Sequence, residues 1–189
     1  MRDPTERPLV DALRRGDARG FDAVYERYHR RIHGFLLRLS GRRDVAEDLF
    51  QETFLKLARN APKLDEDTDL AAWLFTVARN AWVSHRRWSM LDLSRLVAIE
   101  DDVLPVARAP DPDARVDAAR NVERLERALA ALPAASREVL LLVGVEGFDQ
   151  EQAATMLGIT YEALRQRLSR ARSQLAQRLA MVETKEALA

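Results

Sequence analysis

The chain has 189 residues, of which 47% are hydrophobic and 32% are charged, and its 30 basic side chains match its 30 acidic ones. This composition is typical of a folded globular protein of one domain or two small ones, and it argues against a protein that coats nucleic acid by bulk charge. The absence of cysteine excludes disulfide frameworks, Cys-ligated zinc and thiol catalysis. The start of the chain lacks the apolar core of a signal peptide, and the longest apolar stretch, residues 139–145, is too short to span a bilayer, so we expect a cytoplasmic protein.

Residues 8–88 predict an antiparallel bundle of helices. A short helix is expected at Leu9–Arg15, followed by a long amphipathic helix whose apolar residues recur at the i, i+3, i+4, i+7 spacing until Gly41. Asp44 is expected to cap the next helix, and a third long helix begins near Asp69 after a polar loop. The apolar stripe of this third helix places two tryptophans in the predicted core, Trp73 and Trp82.

Residues 89–116 contain three prolines and six acidic side chains without sustained helical periodicity, which predicts a flexible linker. Helical periodicity returns over residues 117–182, where Pro133 opens one of the helices. No window of the sequence shows the alternation that is typical of a β-strand. The sequence therefore predicts helices on both sides of the linker.

The strongest local signal in the second domain is a helix-turn-helix. Asp149 and Gln152 have the spacing of a capping box, and Thr160 is expected to cap a second short helix. A helix-turn-helix needs a small residue where its helices cross, a glycine four residues later and an apolar anchor six residues further on. The sequence meets these needs with Ala154, Gly158 and Leu164. The predicted fold class is all-α, with two helical domains, a helical bundle and a helix-turn-helix domain, joined by the flexible linker.

The outward face of the second of these helices carries chemistry suited to DNA. Arginine and glutamine bind guanine and adenine edges in the major groove, and flanking arginines can hold phosphates. A helical hairpin with a solvated arginine face is the alternative. The predicted DNA-binding residues of this helix are Tyr161, Arg165, Gln166, Arg167, Ser169, Arg170 and Arg172.

Two charged features distinguish the first domain. Its second long helix carries a continuous acidic and amide stripe, formed by Asp44, Glu47, Asp48, Gln51 and Glu52. DNA repels such a stripe, whereas an uncompensated stripe can dock a basic protein surface, and an ordinary solvated face is the alternative. The third long helix ends in a basic and aromatic set suited to phosphates and unstacked bases, formed by Arg79, Asn80, His85, Arg86, Arg87 and Trp88.

Four segments, in this order, resemble the extracytoplasmic-function sigma factors of bacteria, which are the shortest members of the sigma-70 family. They are residues 44–57 (DVAEDLFQETFLKL), 73–80 (WLFTVARN), 146–154 (EGFDQEQAA) and 165–172 (RQRLSRAR). The resemblance implies a factor that directs RNA polymerase to promoters. It also implies sigma region 2 at residues 8–88, the linker at 89–116 and sigma region 4 at 117–182.

The same resemblance implies the partners, which are core RNA polymerase through its β′ and β subunits, promoter DNA and an anti-sigma factor. The acidic stripe is expected to dock on the coiled coil of β′. The loop from about Lys63 to Ala72 and the helix from Trp73 to Trp88 are expected to open the −10 element and hold a flipped base, and the helix at 161–172 to read the −35 element. No cofactor, metal, small-molecule substrate, membrane insertion or enzymatic activity is implied.

Two positions depart from the common pattern of this family. Glu162-Ala163 stands where Gly-Thr is common, and Ser84 stands where Asp is common. Glu162 favours the helix N-terminus electrostatically but disfavours a nearby phosphate.

The residues also leave two other functions open. One is a helix-turn-helix regulator that binds DNA without polymerase, and the other is a metal-dependent enzyme that uses Glu26, His29 and His33 on one helix.

Overall fold

The computed structural model describes residues 6–93 and 114–187. These residues belong to two compact units, one within residues 1–100 and the other within residues 101–189. All regular secondary structure in the two described ranges is helical, which confirms the all-α prediction. Residues 94–113, which are most of the predicted linker, lie outside the described residues, whereas both ends of that linker belong to helices.

The second helix of the first unit is the one on which the others pack. The elements of this unit are α1 (Arg7–Arg14), α2 (Ala18–Ser40), α3 (Arg43–Asn60), a 3-10 turn (Ala61–Lys63) and α4 (Leu70–Leu93). Because α2 contacts α1, α3 and α4, it buries a broad stripe at helical spacing, which consists of Val24, Tyr28, Ile32, Phe35, Leu36 and Leu39. Phe35 meets Phe75 of α4 edge to face, with ring centroids 5.1 Å apart. This arrangement is the helical bundle that the apolar spacing predicts.

Two of the helix ends in this unit follow signals in the local sequence, and a third does not. Gly41 adopts a φ of 69° and ends α2, because glycine tolerates the left-handed region. Asp69 caps α4 by accepting a hydrogen bond from the Ala72 amide at 2.8 Å. The prediction that Asp44 caps α3 is wrong, since Arg42 is the N-cap residue and Asp44 lies inside the first turn. There the Asp44 carboxylate pairs with the Arg42 guanidinium at 2.5 Å instead of capping the helix.

The last helix of the second unit contacts all the other helices of that unit. The elements are α5 (Ala114–Ala130), α6 (Ala134–Leu140), a π-helical turn (Leu141–Val145), α7 (Gln150–Leu157) and α8 (Tyr161–Ala187). Contacts of α8 with α5, α6 and α7 enclose a core that includes Val139, Leu141, Leu142, Ala153, Leu164 and Ala171. Arg137 of α6 fastens the end of α5 by donating to the carbonyl oxygens of Leu129 and Leu132, at 3.0 and 3.1 Å.

The final helix is longer than predicted. A short helix after Thr160 is expected from the sequence, but α8 has 27 residues. Apolar residues continue at helical spacing through Leu175 and Leu179, and neither glycine nor proline interrupts them. These two leucines are only half-buried. Within residues 6–93 and 114–187, no helix combines the length and the apolarity needed to cross a membrane.

Candidate functional surfaces

The acidic stripe lies on the outer face of α3. The opposite face packs into the first unit through Val45, Leu49, Phe54 and Leu57. All five stripe residues are exposed, namely Asp44, Glu47, Asp48, Gln51 and Glu52. The stripe therefore presents carboxylates and one amide over roughly two turns of helix.

Basic neighbours on the same helix or just before it compensate part of this stripe. Ion pairs of 2.5, 2.9 and 2.6 Å join Asp44 to Arg42, Glu47 to Arg43, and Glu52 to Lys56. The hydrogen bond from Arg42 holds the pKa of Asp44 below its usual value. In the described part of the chain no basic side chain pairs with Asp48, near the middle of the stripe. Since exposed ion pairs contribute little to stability, a basic partner can replace them.

A cluster of aromatic rings joins α2 to α3. Phe50 and Phe54 have ring centroids 4.8 Å apart, and Tyr25 contacts them at 6.0 and 5.1 Å. His29 stacks on Tyr25 at 5.2 Å, and His33 meets Phe50 edge to face at 5.9 Å. The sequence did not reveal this cluster, because its members are brought together across two helices rather than along one.

The same contacts bear on the metal-dependent alternative. The Nδ1 atom of His29 lies 3.1 Å from the backbone carbonyl oxygens of Tyr25 and Glu26, and the ring of His33 packs on Phe50. Across the described ranges, no three histidine or acidic side chains have an arrangement that could hold a metal ion. The geometry therefore gives no support to an enzyme built on Glu26, His29 and His33.

The exposed end of α4 presents one long stripe. Because successive residues of a helix are rotated by about 100°, five side chains fall on the same side of α4. They are Asn80, Ser84, Arg87, Trp88 and Leu91. Trp88 is 73% exposed and Leu91 is 59% exposed, so two large apolar side chains lie beside polar and basic ones. Leu91 is absent from the predicted set, although its spacing of three residues from Trp88 could have revealed it. Ser84, one of the two departures from the family pattern, lies within this stripe.

The other predicted residues of α4 lie on the flanks of the stripe. Arg79 donates to the side-chain oxygen of Asn80 at 3.2 Å. Arg86 lies over the ring of Trp82, with its guanidinium carbon 5.8 Å from the ring centroid. Trp82 is buried as predicted, whereas Trp73 is only half-buried. His85 is exposed on the opposite flank. The six predicted residues are thus neighbours on one helix end but do not share a single face.

The helix-turn-helix forms as predicted. Asp149 accepts from the Gln152 amide at 2.8 Å while the Gln152 side chain accepts from the Asp149 amide at 3.4 Å, which completes the capping box. Gly158 has a φ of 65° and ends α7. Thr160 caps α8 by accepting from the Ala163 amide at 3.2 Å. Ala154 and Leu164 are both buried at the crossing of the two helices.

The exposed side of α8 carries a group of polar and charged side chains at helical spacing. They are Glu162, Arg165, Gln166, Ser169 and Arg170. Arg165 lies over the ring of Tyr161 at 5.9 Å and 3.8 Å from the Glu162 carboxylate. Arg172 is exposed and continues the row of Tyr161 and Arg165, whereas Arg167 is half-buried on the other flank. The structure thus brings together all the predicted residues of this helix except Arg167.

Comparisons with known proteins agree with this two-part organisation. Residues 24–89 match the family of sigma-70 region 2, and residues 122–175 match the family of sigma-70 region 4. The first match covers most of the first unit, including α3 and most of α4, and the second covers part of α5, all of α6 and α7, and the first part of α8.

Similar proteins extend the match to most of the chain. The sigma factor EcfG of Rhodopseudomonas palustris is 35% identical over 145 residues, which are 77% of each chain. The sigma factor SigM of Mycobacterium tuberculosis is 31% identical over 176 residues, covering 93% of this chain and 85% of SigM. The solved structure of the sigma factor RpoE from Bartonella quintana, in complex with the anti-sigma factor NepR, matches with a TM-score of 0.72 and 31% identity over 85% of this chain and 96% of that one. Because these similarities span both helical units and their order, the chain belongs to the extracytoplasmic-function sigma factors of the sigma-70 family.

Proposed function

We propose that this sigma factor binds core RNA polymerase and directs it to promoters whose −10 and −35 elements it reads with separate units. The observation that carries the proposal is the chemical difference between its exposed surfaces. The acidic stripe of α3 suits a basic protein, whereas the end of α4 and the outer side of α8 suit nucleic acid. A sigma factor needs both kinds of surface in one chain, and it needs no catalytic group of its own.

The acidic stripe is the proposed docking site for the β′ coiled coil of core polymerase. Asp48 is the strongest candidate within it, because this exposed carboxylate has no ion-pair partner among the described residues. The paired carboxylates at Glu47 and Glu52 can exchange Arg43 and Lys56 for basic groups of the partner. Asp44 lies at the N-terminal end of the same surface, and the Gln51 amide lies beside Glu52 near its C-terminal end.

The loop before α4 and the exposed end of α4 are the proposed surface for the opened −10 element. Asn80 offers an amide to a base edge, and Arg79 orients that amide by donating to its oxygen at 3.2 Å. Trp88 is exposed and can stack on an unpaired base, while Arg86 and Arg87 supply positive charge for phosphates. His85 lies on the flank of this surface and is exposed to solvent.

The exposed side of α8 is the proposed reader of the −35 element. Arg165 and Gln166 have the donor and acceptor groups that bind guanine and adenine in the major groove. Tyr161 and Ser169 border them, and three further arginines are assigned to phosphates, namely Arg167, Arg170 and Arg172. The half-buried position of Arg167 suits a phosphate contact better than a base contact.

A regulator that binds DNA without polymerase is the second candidate, and the acidic stripe disfavours it because such a regulator needs no polymerase-docking surface.

The anti-sigma factor bound to the Bartonella quintana relative suggests the class of partner that controls this chain. Both roles place the protein in the cytoplasm, where core polymerase and the chromosome lie.

In vitro transcription with purified core polymerase on a promoter library tests the proposal. We expect transcripts that share one −35 and one −10 sequence only when both the protein and the core enzyme are present. Equal enrichment of the same DNA by the protein without core would favour the stand-alone regulator instead. Omission of the protein serves as the control for transcription by the core enzyme alone.

A further inference from the structure

We propose that Glu6 is a positioning residue that fastens α1 to the start of α4 and thereby sets the place of the loop that opens the −10 element. This inference rests on the function proposed above for that loop. It concerns a residue outside the segments that resemble the family and outside the region 2 match, which begins at residue 24.

Glu6 is a carboxylic acid buried in the first unit, with only 6% of its surface exposed. Each carboxylate oxygen accepts a hydrogen bond from a different element. The Tyr28 hydroxyl of α2 donates to Oε1, and the Leu70 amide at the start of α4 donates to Oε2 at 3.0 Å. Glu6 and Leu70 are 64 residues apart in the chain, so this contact ties the first helix to the last helix of the unit.

The position of the carboxylate at the beginning of α4 has a physical reason. The first amides of a helix have no partner within the helix and carry the positive end of its dipole, so a buried anion there is stabilised. Asp69 satisfies the Ala72 amide, and Glu6 satisfies the Leu70 amide. Burial and the hydrogen bond to Glu6 raise the pKa of Tyr28, which agrees with its hydroxyl acting as the donor in this pair.

The same helix α1 holds the loop at a second point. Arg14 pairs with Glu66 at 2.9 Å, and Arg7 approaches the same carboxylate at 4.0 Å. Val10 and Leu13 are buried on the inner side of α1, which also packs against the 3-10 turn Ala61–Lys63. The loop of residues 64–69 is therefore held at its exposed tip by Arg14 and at its junction with α4 by Glu6.

Two contacts of this kind reduce the conformational freedom of the loop of residues 64–69. Asp65, Glu66 and Asp67 are exposed, and a backbone hydrogen bond of 3.0 Å from Thr68 to Asp65 is the turn within it. A loop that captures a flipped base binds it best when the loop is already ordered. The free energy of ordering the loop is then not added to the free energy of promoter opening. Loss of Glu6 should impair promoter opening while leaving core binding and the −35 contacts intact.

The experiment compares holoenzymes made with the unchanged chain, Glu6→Ala, Glu6→Gln and Arg14→Ala. Hydrogen exchange of the Leu70 amide reports the fastening itself, and we expect about tenfold faster exchange in Glu6→Ala, the effect of one lost hydrogen bond. Permanganate reactivity of the −10 thymines reports opening, at a temperature where all four proteins are folded and bind core equally. We expect opening to fall by a similar factor in Glu6→Ala and less in Arg14→Ala, with recovery in Glu6→Gln, because glutamine retains an acceptor for the Leu70 amide.

Equal opening by Glu6→Ala and the unchanged chain, with faster exchange at Leu70, would overturn the proposal, since the residue would then be only structural. If Glu6→Ala does not fold, Tyr28→Phe replaces it, because this change removes the hydroxyl that positions the Glu6 carboxylate. Normal opening with faster Leu70 exchange in Tyr28→Phe would then overturn the proposal equally. Asn80→Ala separates this outcome from a failure of the proposed function. If Asn80→Ala opens the promoter normally, the assignment of α4 to the −10 element is wrong. If only Asn80→Ala is defective, the −10 surface stands and the role of Glu6 is lost.

Discussion

The Glu162 carboxylate lies 3.8 Å from the Arg165 guanidinium on the exposed side of α8, where Arg165 also lies over the ring of Tyr161. An acidic side chain is thus placed within the proposed DNA-reading surface, where Glu162-Ala163 replaces the Gly-Thr of the family pattern. The contact holds Arg165 in a defined direction, but it also lowers the positive charge that DNA meets. Both effects can be measured separately.

Arg165→Ala should remove one base contact and relax the preference for one position of the −35 element. The expected cost is about 1–3 kcal/mol for the preferred sequence and much less for variants at that position, because the lost interaction is with a base edge. Binding of holoenzyme to a panel of single-base −35 variants at two salt concentrations measures both values. Arg172→Ala is the matched control, for which we expect weaker binding to all variants and a smaller salt dependence. An unchanged ranking of the panel with Arg165→Ala would exclude a base contact.

Glu162→Gln should strengthen binding to all −35 sequences at low salt, because it removes a negative charge near the phosphates. The gain should shrink as salt increases, since the effect is electrostatic and is screened. The free energy of unfolding should fall by about 0.3–1 kcal/mol through the lost interaction with the helix N-terminus. A selective loss of binding to sequences with cytosine at one position would show instead that Glu162 accepts a hydrogen bond from that base.

Charge reversal of Asp48 and Glu52 to lysine should abolish core binding without unfolding the first unit. The stripe is exposed, and substitutions at exposed positions usually change stability by less than about 0.5 kcal/mol. Pull-down of core polymerase and circular dichroism measure the two properties. Asp22→Lys combined with Glu26→Lys is the matched control, because these exposed carboxylates have the same spacing of four residues on α2. Equal loss of binding in both double variants would assign the effect to net charge rather than to the stripe.

Asn80→Ala should reduce promoter opening more than initial binding. The expected cost is about 1–3 kcal/mol, the scale of one contact with an unstacked base. Permanganate reactivity near the start site and filter binding of the closed complex provide the two readouts. Arg86→Ala combined with Arg87→Ala should show the same division, whereas Arg30→Ala on the exposed side of α2 should change neither. Full permanganate reactivity in both the Asn80 variant and the arginine double variant would show that another surface of the protein opens the promoter.

The first unit should lose stability at alkaline pH through Tyr28. Burial, followed by the hydrogen bond to Glu6, raises the pKa of Tyr28 in the folded chain above its ordinary value of 10.0. The folded state therefore holds this proton more tightly than the unfolded state, so the stabilisation is complete below pH 10 and declines as the pH rises above it. Urea unfolding between pH 7 and 11 measures the slope, and Tyr28→Phe should show a shallower decline. Parallel curves for the two proteins would mean that another group causes the alkaline loss.

The sequence by itself determined the features that depend on neighbours within a few turns of helix. Gly41 and Gly158 end their helices because each adopts a positive φ, which is a property of the glycine itself and needs no distant contact. The capping box of Asp149 and the apolar anchor at Leu164 follow from spacing along one or two adjacent helices. Exposure of the acidic stripe and of the outer side of α8 follows in the same way, because the opposite side of each helix is apolar.

Only the tertiary structure decided the features that join distant parts of the chain. The hydrogen bond from Leu70 to Glu6 spans 64 residues, and no local pattern marks Glu6 as buried. The ring cluster of Tyr25 and Phe50 and the position of Glu66 beside Arg14 likewise depend on how helices pack. Spacing within one segment is set by helix geometry, whereas a contact between segments depends on the whole bundle being assembled. That physical difference explains why the exposed sides of α3 and α8 could be predicted and the contact between Glu6 and the start of α4 could not.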